Sequence, residues 1–64
     1  MKYAISFYHN DGYMNNDMAC SAKERNMMIR EAKKETFING VVYNPILKSG
    51  EYGKRTCIVF KRGR

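Results

Sequence analysis

A helix-start signal follows the first of three β-rich segments and precedes the other two. This order limits the folds that the chain can adopt. Residues 21–24 read S-x-x-E, a capping box in which the serine hydroxyl accepts from the third helical residue and the glutamate reaches back. The apolar spacing that follows predicts a helix over residues 21–35. Residues 2–9 alternate apolar and polar side chains, and residues 41–47 and 55–61 are β-rich. The predicted order is therefore strand, helix, strand, strand.

This order predicts an α+β fold of βαββ type, with a three-stranded antiparallel sheet and one helix packed on one face. The strand order 1-3-2 makes every neighbouring pair antiparallel. Pro45 lacks a backbone N–H, which suits an edge strand, and the apolar run 57–60 suits the centre. Residues 10–12, Asn-Asp-Gly, end the first strand, and a polar loop is expected from there to about residue 20.

A chain of 64 residues supports one small domain, 1–64, with a marginal core, because such a chain buries only about 60% of its unfolded surface. An apolar content of 44% is too high for a disordered tail. The longest uncharged run, 36–47, is far short of the ~20 apolar residues of a membrane span, and the apolar stretch near the start is too short for a signal peptide. We therefore expect a soluble, cytoplasmic protein with no membrane partner.

The residues that could support catalysis or bind a nucleotide or a metal do not form a recognisable site. His9 has no nucleophile near it in the sequence, and the five glycines form neither G-x-G-x-x-G nor a Walker loop. Cys20 and Cys57 lack CxxC spacing and a zinc set, so we expect unpaired, buried or half-buried thiols; one disulfide between them is the alternative. The sequence thus predicts a protein that is not an enzyme and that holds no cofactor and no metal.

Basic residues are the strongest functional signal. Residues 1–32 carry four basic and four acidic side chains, so the whole net charge of +6 lies in residues 33–64. The cations expected to bind a partner precede and follow the last predicted strand: Lys54, Arg55, Lys61, Arg62 and Arg64. Groups placed in this way neutralise phosphates or pair with an acidic protein surface. A solubilising surface is the alternative.

The helix leaves one face of the predicted sheet uncovered. Alternation predicts a core of Tyr3, Ile5, Phe7, Val41, Tyr43, Ile58 and Phe60. The uncovered face then carries Ala4, Ser6, Tyr8, Val42, Ile46, Cys57 and Val59. An apolar face with a basic rim is typical of a protein interface or a homodimer seam, and edge strands offer a second route to a homodimer. An RNA-reading sheet carries several stacking aromatics, whereas this face has Tyr8 alone.

Three large side chains lie on predicted loops. Tyr13, Met14 and Tyr52 are candidate interface anchors, with packing over the helix edge as the alternative. With the basic half, they predict a small interaction protein that binds stoichiometrically to an anionic macromolecule, either nucleic acid or the nucleic-acid-binding site of a protein. The alternative is a phage-type inhibitor of a host defence or transcription enzyme, an analogy that rests on size and fold.

Overall fold

The computed structural model describes residues 1–61 and shows one helix on one face of a four-stranded antiparallel sheet. Along the chain the elements are β1 (Lys2–His9), β2 (Met14–Ala19), α1 (Ala22–Lys34), β3 (Ile38–Ile46) and β4 (Thr56–Val59). Across the sheet the strand order is β2-β1-β3-β4. The α+β class, the antiparallel sheet and the single helix are confirmed. The prediction of three strands in the order 1-3-2 is wrong.

The additional strand, β2, occupies most of the segment predicted as a loop. The residues after β1 form a hairpin turn in which Gly12 has a φ of 93°, a conformation that favours glycine. His9 N donates to Tyr13 O at 2.7 Å, and Gly12 N donates to His9 O at 3.1 Å. β2 then pairs with β1 over six register positions. Backbone pairing is open to any residue with an N–H, so even this polar segment forms an edge strand.

The second difference concerns the two C-terminal strands, because β3 and not β4 lies beside β1. In an antiparallel strand the N–H and C=O of one residue point to the same side. The carbonyl of Pro45 accepts from Gly53 N at 2.7 Å, so the backbone groups of Pro45 point to the β4 side of β3. Gly53 precedes Thr56, the first residue of β4. The N–H that proline lacks is therefore missing where the regular ladder has ended, so proline is tolerated in an inner strand.

The start of α1 follows the predicted capping box. Ser21 is the N-cap, and its hydroxyl accepts from Glu24 N at 3.1 Å. The Glu24 carboxylate accepts from Cys20 N at 2.6 Å, one residue earlier than in the usual box. The helix ends at Lys34, one residue before the predicted end. No helix in residues 1–61 has the length and apolar content needed to cross a membrane.

The core lies between α1 and one face of β1 and β3. Its two most deeply enclosed side chains, Ile5 and Val41, are each 1% exposed. The buried set is Ile5, Phe7, Ala19, Ala32, Ile38, Val41 and Phe60, and Tyr3, Met28, Ile29, Tyr43 and Ile58 pack against it. All seven predicted core residues belong to these two groups. The Arg25 guanidinium covers one end of the core, 4.6 Å from the ring centroid of Tyr3 and 4.8 Å from that of Tyr43.

Gly40 allows β3 and β4 to approach each other. A Cβ at this position would lie 2.9 Å from Ile58 O, which is a backbone atom and cannot rotate away. Gly40→Ala is therefore expected to push β4 away from β3 and to lower the free energy of unfolding by about 1–3 kcal/mol. Urea denaturation measures this loss. The neighbouring, exposed Asn39→Ala serves as the control, with a change below about 0.5 kcal/mol. Equal stability of the two variants would contradict the close approach.

Candidate functional site

Within residues 1–61, no helix or strand packs on the sheet face opposite α1. We name it the open face. Its residues follow from the strand register: Lys2, Ala4, Ser6, Tyr8, Met14, Asn16, Met18, Val42, Asn44, Ile46, Cys57 and Val59. None of them is acidic. The seven residues predicted for an uncovered face all lie on it, because alternation along a strand does not depend on which strand is its neighbour.

Large apolar side chains project from the open face at both of its edges. Val59 on β4 is 73% exposed, and Met18 on β2 is 52% exposed. Val42 and Ile46 lie between them on β3 and are half-buried. Single exposed apolar residues are ordinary on a protein surface, but several large apolar side chains on one uncovered face beside charged groups are typical of an interaction site.

Polar side chains on the open face form hydrogen bonds within the chain. Ser6 Oγ donates to Asn16 Oδ1 at 2.7 Å, which joins β1 to β2. Asn44 Nδ2 donates to Gly53 O at 3.0 Å, which fixes the segment before β4. These bonds hold the face in one shape before a partner binds, and such preorganisation lowers the entropy lost on binding.

Two of the three predicted anchor residues lie on the open face. Met14 begins β2 and is paired with Tyr8. Tyr52 forms an isolated bridge with Ile46, which places it on the same face, and it is 66% exposed. It shares a shallow groove with Met18. Neither residue packs over the helix edge, so that alternative is wrong for this pair.

The third predicted anchor, Tyr13, lies in the turn between β1 and β2 and is exposed. Its ring meets the His9 ring edge to face, with centroids 5.0 Å apart. The His9 ring also lies 5.3 Å from that of Phe37, and His9 Nε2 is 2.7 Å from Asn15 Oδ1. These contacts hold Tyr13 at the end of the sheet. They also give His9 the surroundings of a structural histidine.

The described members of the predicted basic set flank β4. Lys54 and Arg55 directly precede the strand, Lys61 follows it, and all three are exposed. Arg55 lines a groove on the open face, and Lys61 lines a second groove beside α1. Arg62 and Arg64 lie outside the described residues. The structure therefore places basic groups at both ends of β4.

Carboxylates gather at the opposite edge of the sheet. A groove between β2 and α1 is lined by four of them, Asp17, Glu24, Glu31 and Glu35. Asp17 faces the helix side because it is paired with Ile5, a core residue. Residues 53–61, by contrast, contain no acidic side chain. The two edges of the sheet thus differ in charge, with β2 acidic and β4 basic.

Sequence reasoning missed Asn16 and Met18 as members of the open face, because it assigned their segment to a loop. The available signal was the Asp-Gly pair at residues 11–12, which is typical of a hairpin turn. The prediction for the two cysteines was right in part. Both thiols are unpaired, but both are exposed and not buried. Cys20 precedes the helix cap, and Cys57 lies on the open face.

The open face and the basic edge at β4 form one continuous surface, since Cys57 and Val59 belong to both. A small sheet with one uncovered face is a platform that supports many unrelated functions, so the fold alone assigns none. Comparison with known proteins finds no matching family model, no matching curated protein and no matching solved structure.

Proposed function

We propose that this protein is a small, non-enzymatic interaction protein that binds one to one to an anionic macromolecular surface, and that the surface belongs to an acidic protein. One observation carries the proposal. An apolar open face without a carboxylate lies directly beside a strand flanked by Lys54, Arg55 and Lys61. Apolar burial supplies affinity for such a partner, and the cations supply orientation and a faster encounter.

The aromatic residues favour a protein partner over a single-stranded nucleic acid. Base stacking uses aromatic side chains placed one nucleotide apart on a sheet. Tyr8 lies opposite Gly40, and Tyr52 lies opposite Ile46, six residues further along β3. Six residues of strand span about 20 Å, too far for adjacent bases. The surface between the two rings contains no further aromatic side chain; it combines Ala4, Val42 and Met18 with the hydrogen-bonded Ser6, Asn16 and Asn44, a mixture that suits a protein interface.

A second candidate function is inhibition of a host defence or transcription enzyme by a phage-type protein. Tyr13 favours it, because an aromatic side chain that is exposed yet held by the His9 ring is a preorganised anchor. In this case the partner's anionic surface would be the acidic site of the enzyme. Both functions use the open face and the cations beside β4, and the second also uses Tyr13. Inhibition of the captured enzyme by the purified chain distinguishes them.

The two cysteines support a reducing compartment for this binding. Cys20 and Cys57 are exposed and unpaired. Exposed thiols persist in the cytoplasm, where glutathione and thioredoxin keep them reduced. We therefore propose the cytoplasm as the place where the partner is met.

Capture from a lysate of the source cells tests the proposed function. The protein is immobilised, the lysate is divided, and one half is treated with nuclease. We expect the same protein partner from both halves, binding one to one after purification. We further expect Arg55→Ala combined with Lys61→Ala to weaken this complex about tenfold, through loss of two charge-assisted contacts. Lys23→Ala combined with Arg30→Ala removes the same charge from exposed helix positions and is expected to leave binding within about twofold.

The salt dependence distinguishes the two partner classes. Binding to a nucleic acid weakens steeply as salt rises, because each neutralised phosphate releases counterions. Binding through an apolar face weakens only slightly under the same change. Loss of all captured material after nuclease treatment, together with a steep salt dependence, would contradict the acidic protein as partner.

A further inference from the structure

The outer edge of β4 presents regularly spaced backbone groups to solvent. Phe60 N donates to Asn39 O at 2.9 Å, and Ile58 O faces Gly40, so these even-numbered residues direct their backbone groups toward β3. The N–H and C=O groups of Cys57 and Val59 consequently point away from the sheet. β4 is the last strand in the sheet, and within residues 1–61 no further strand pairs with it.

A shallow groove lies on each side of this edge. On the open face, Tyr8, Val42 and Val59 line the first groove. On the helix side, Ile29 and Phe60 line the second. Successive side chains of an added strand point to opposite faces, so they would enter the two grooves in turn. In recognition by strand addition, backbone hydrogen bonds supply affinity and such grooves supply specificity.

We propose that β4 accepts an extended acidic segment of a partner protein as the fifth strand of the sheet. This inference rests on the proposed function and specifies the form of its partner. Arg55 and Lys61 stand at either end of the open edge, and residues 53–61 contain no carboxylate that would repel the incoming chain. An apolar segment with acidic residues at both ends therefore complements the edge in shape and in charge.

Charge also directs this segment to β4 and not to the other edge of the sheet. The other edge strand, β2, carries Asp17, and the groove beside it is lined by three more carboxylates. An acidic segment added there would meet like charge.

The same reasoning disfavours a second copy of the chain as the added strand. Two β4 strands that pair antiparallel through both Cys57 and Val59 bring Arg55 of each copy opposite Lys61 of the other. Like charges placed directly opposite destabilise a strand pair. A partner with acidic ends removes this repulsion, so the charges favour a different protein over self-association.

A labelled octapeptide provides a direct probe: four alternating valines and isoleucines between two pairs of glutamates. Fluorescence anisotropy measures its binding to the full chain. Val59→Pro removes one outward N–H and leaves the hydrogen bonds to β3 in place, since Val59 faces away from β3. We expect it to weaken binding about tenfold or more. Val59→Thr keeps the N–H and a β-branched side chain and so measures the loss of apolar contact alone; we expect it to bind at least threefold more tightly than Val59→Pro.

Peptide variants test the same point without changing the protein. N-methylation of one alternate set of peptide residues is expected to abolish binding, and N-methylation of the other set to leave it intact, because only one set faces β4. A peptide with lysines in place of the glutamates is expected not to bind. An NMR fingerprint spectrum shows whether Val59→Pro folds. If it does not fold, the peptide series alone tests strand addition.

Two results separate failure of this inference from failure of the proposed function. In the first result, both N-methylated peptides bind the original chain normally and Val59→Pro binds the peptide normally, while the double variant Arg55→Ala with Lys61→Ala binds the captured partner more weakly. Strand addition is then wrong and the proposed function stands. If that double variant also leaves the captured partner unaffected, both are wrong. Absence of peptide binding to the original chain, or binding of the lysine peptide with equal affinity, would also overturn strand addition.

Discussion

Replacing Ile5 by alanine is expected to remove most of the free energy of unfolding of the chain. Ile5 is 1% exposed and lies in β1, the strand that joins β2 to β3. Its backbone is paired on both sides, with Asp17 and with Tyr43, so a collapse that fills the vacated space would have to distort two ladders. Truncation at such a site costs about 2–5 kcal/mol. A domain of this size has about 3–5 kcal/mol of stability in total, so the loss removes most of it.

Urea denaturation followed by far-ultraviolet circular dichroism measures this loss. Val59→Ala removes two methyl groups from an exposed side chain and is the matched control, with an expected change below about 0.5 kcal/mol. A cooperative transition of Ile5→Ala within about 1 kcal/mol of that of the original chain would show that the core is centred elsewhere, because a residue enclosed on all sides cannot be truncated at so small a cost.

The parts of the fold that were predictable from sequence depend on local physics. The Ser21 cap is specified by four consecutive residues, and the structure contains it. The inward and outward sides of β1, β3 and β4 follow from alternation, which is independent of strand order. For this reason the predicted core and the predicted uncovered face were both right although the predicted sheet topology was wrong.

The errors concern choices that involve contacts distant in sequence. The strand β2 is polar, and it forms because the Gly12 turn returns the chain along β1 and Ala19 is fully buried beneath α1. Because residues 57–60 are an uninterrupted apolar run, the sequence predicted them at the centre of the sheet. In the structure β4 is an edge strand four residues long, next to Gly40, where β3 has no side chain to separate the backbones. Pro45 wrongly indicated an edge strand for a related reason. The N–H that proline lacks would lie opposite Gly53, before β4 begins, so its absence breaks no hydrogen bond between β3 and β4.

The candidate site was predictable in composition and only partly in geometry. Sequence alone singled out Met14, Tyr52 and the cations around the last strand. It did not show that Met14 and Tyr52 share one face, because that depends on β2 and on the Tyr52 bridge to Ile46. It also did not show the acidic edge, which forms only when β2 brings Asp17 beside the carboxylates of α1.

The second large effect concerns the open face, and Met18→Asp tests it at the point furthest from the basic edge. Met18 is half exposed on β2, opposite Ala4, so its replacement is expected to change the free energy of unfolding by less than about 0.5 kcal/mol. Asn26→Asp is the matched control. It adds the same charge on an exposed helix position and keeps the oxygen that accepts from Arg25. The pair of variants therefore differs in where the charge is placed.

We expect Met18→Asp to weaken binding of the captured acidic partner by about thirtyfold or more, the effect of losing an interface anchor of about 2 kcal/mol. The aspartate removes apolar contact area and also sets a carboxylate against an anionic surface, so both changes act in the same direction. Asn26→Asp is expected to stay within about twofold, and Met18→Leu, which keeps apolar volume, within about threefold. Isothermal titration calorimetry measures all three constants at one salt concentration. Equal weakening by Met18→Asp and Asn26→Asp would mean that net charge alone governs binding, and the partner would then contact the basic edge of β4 without covering the rest of the open face.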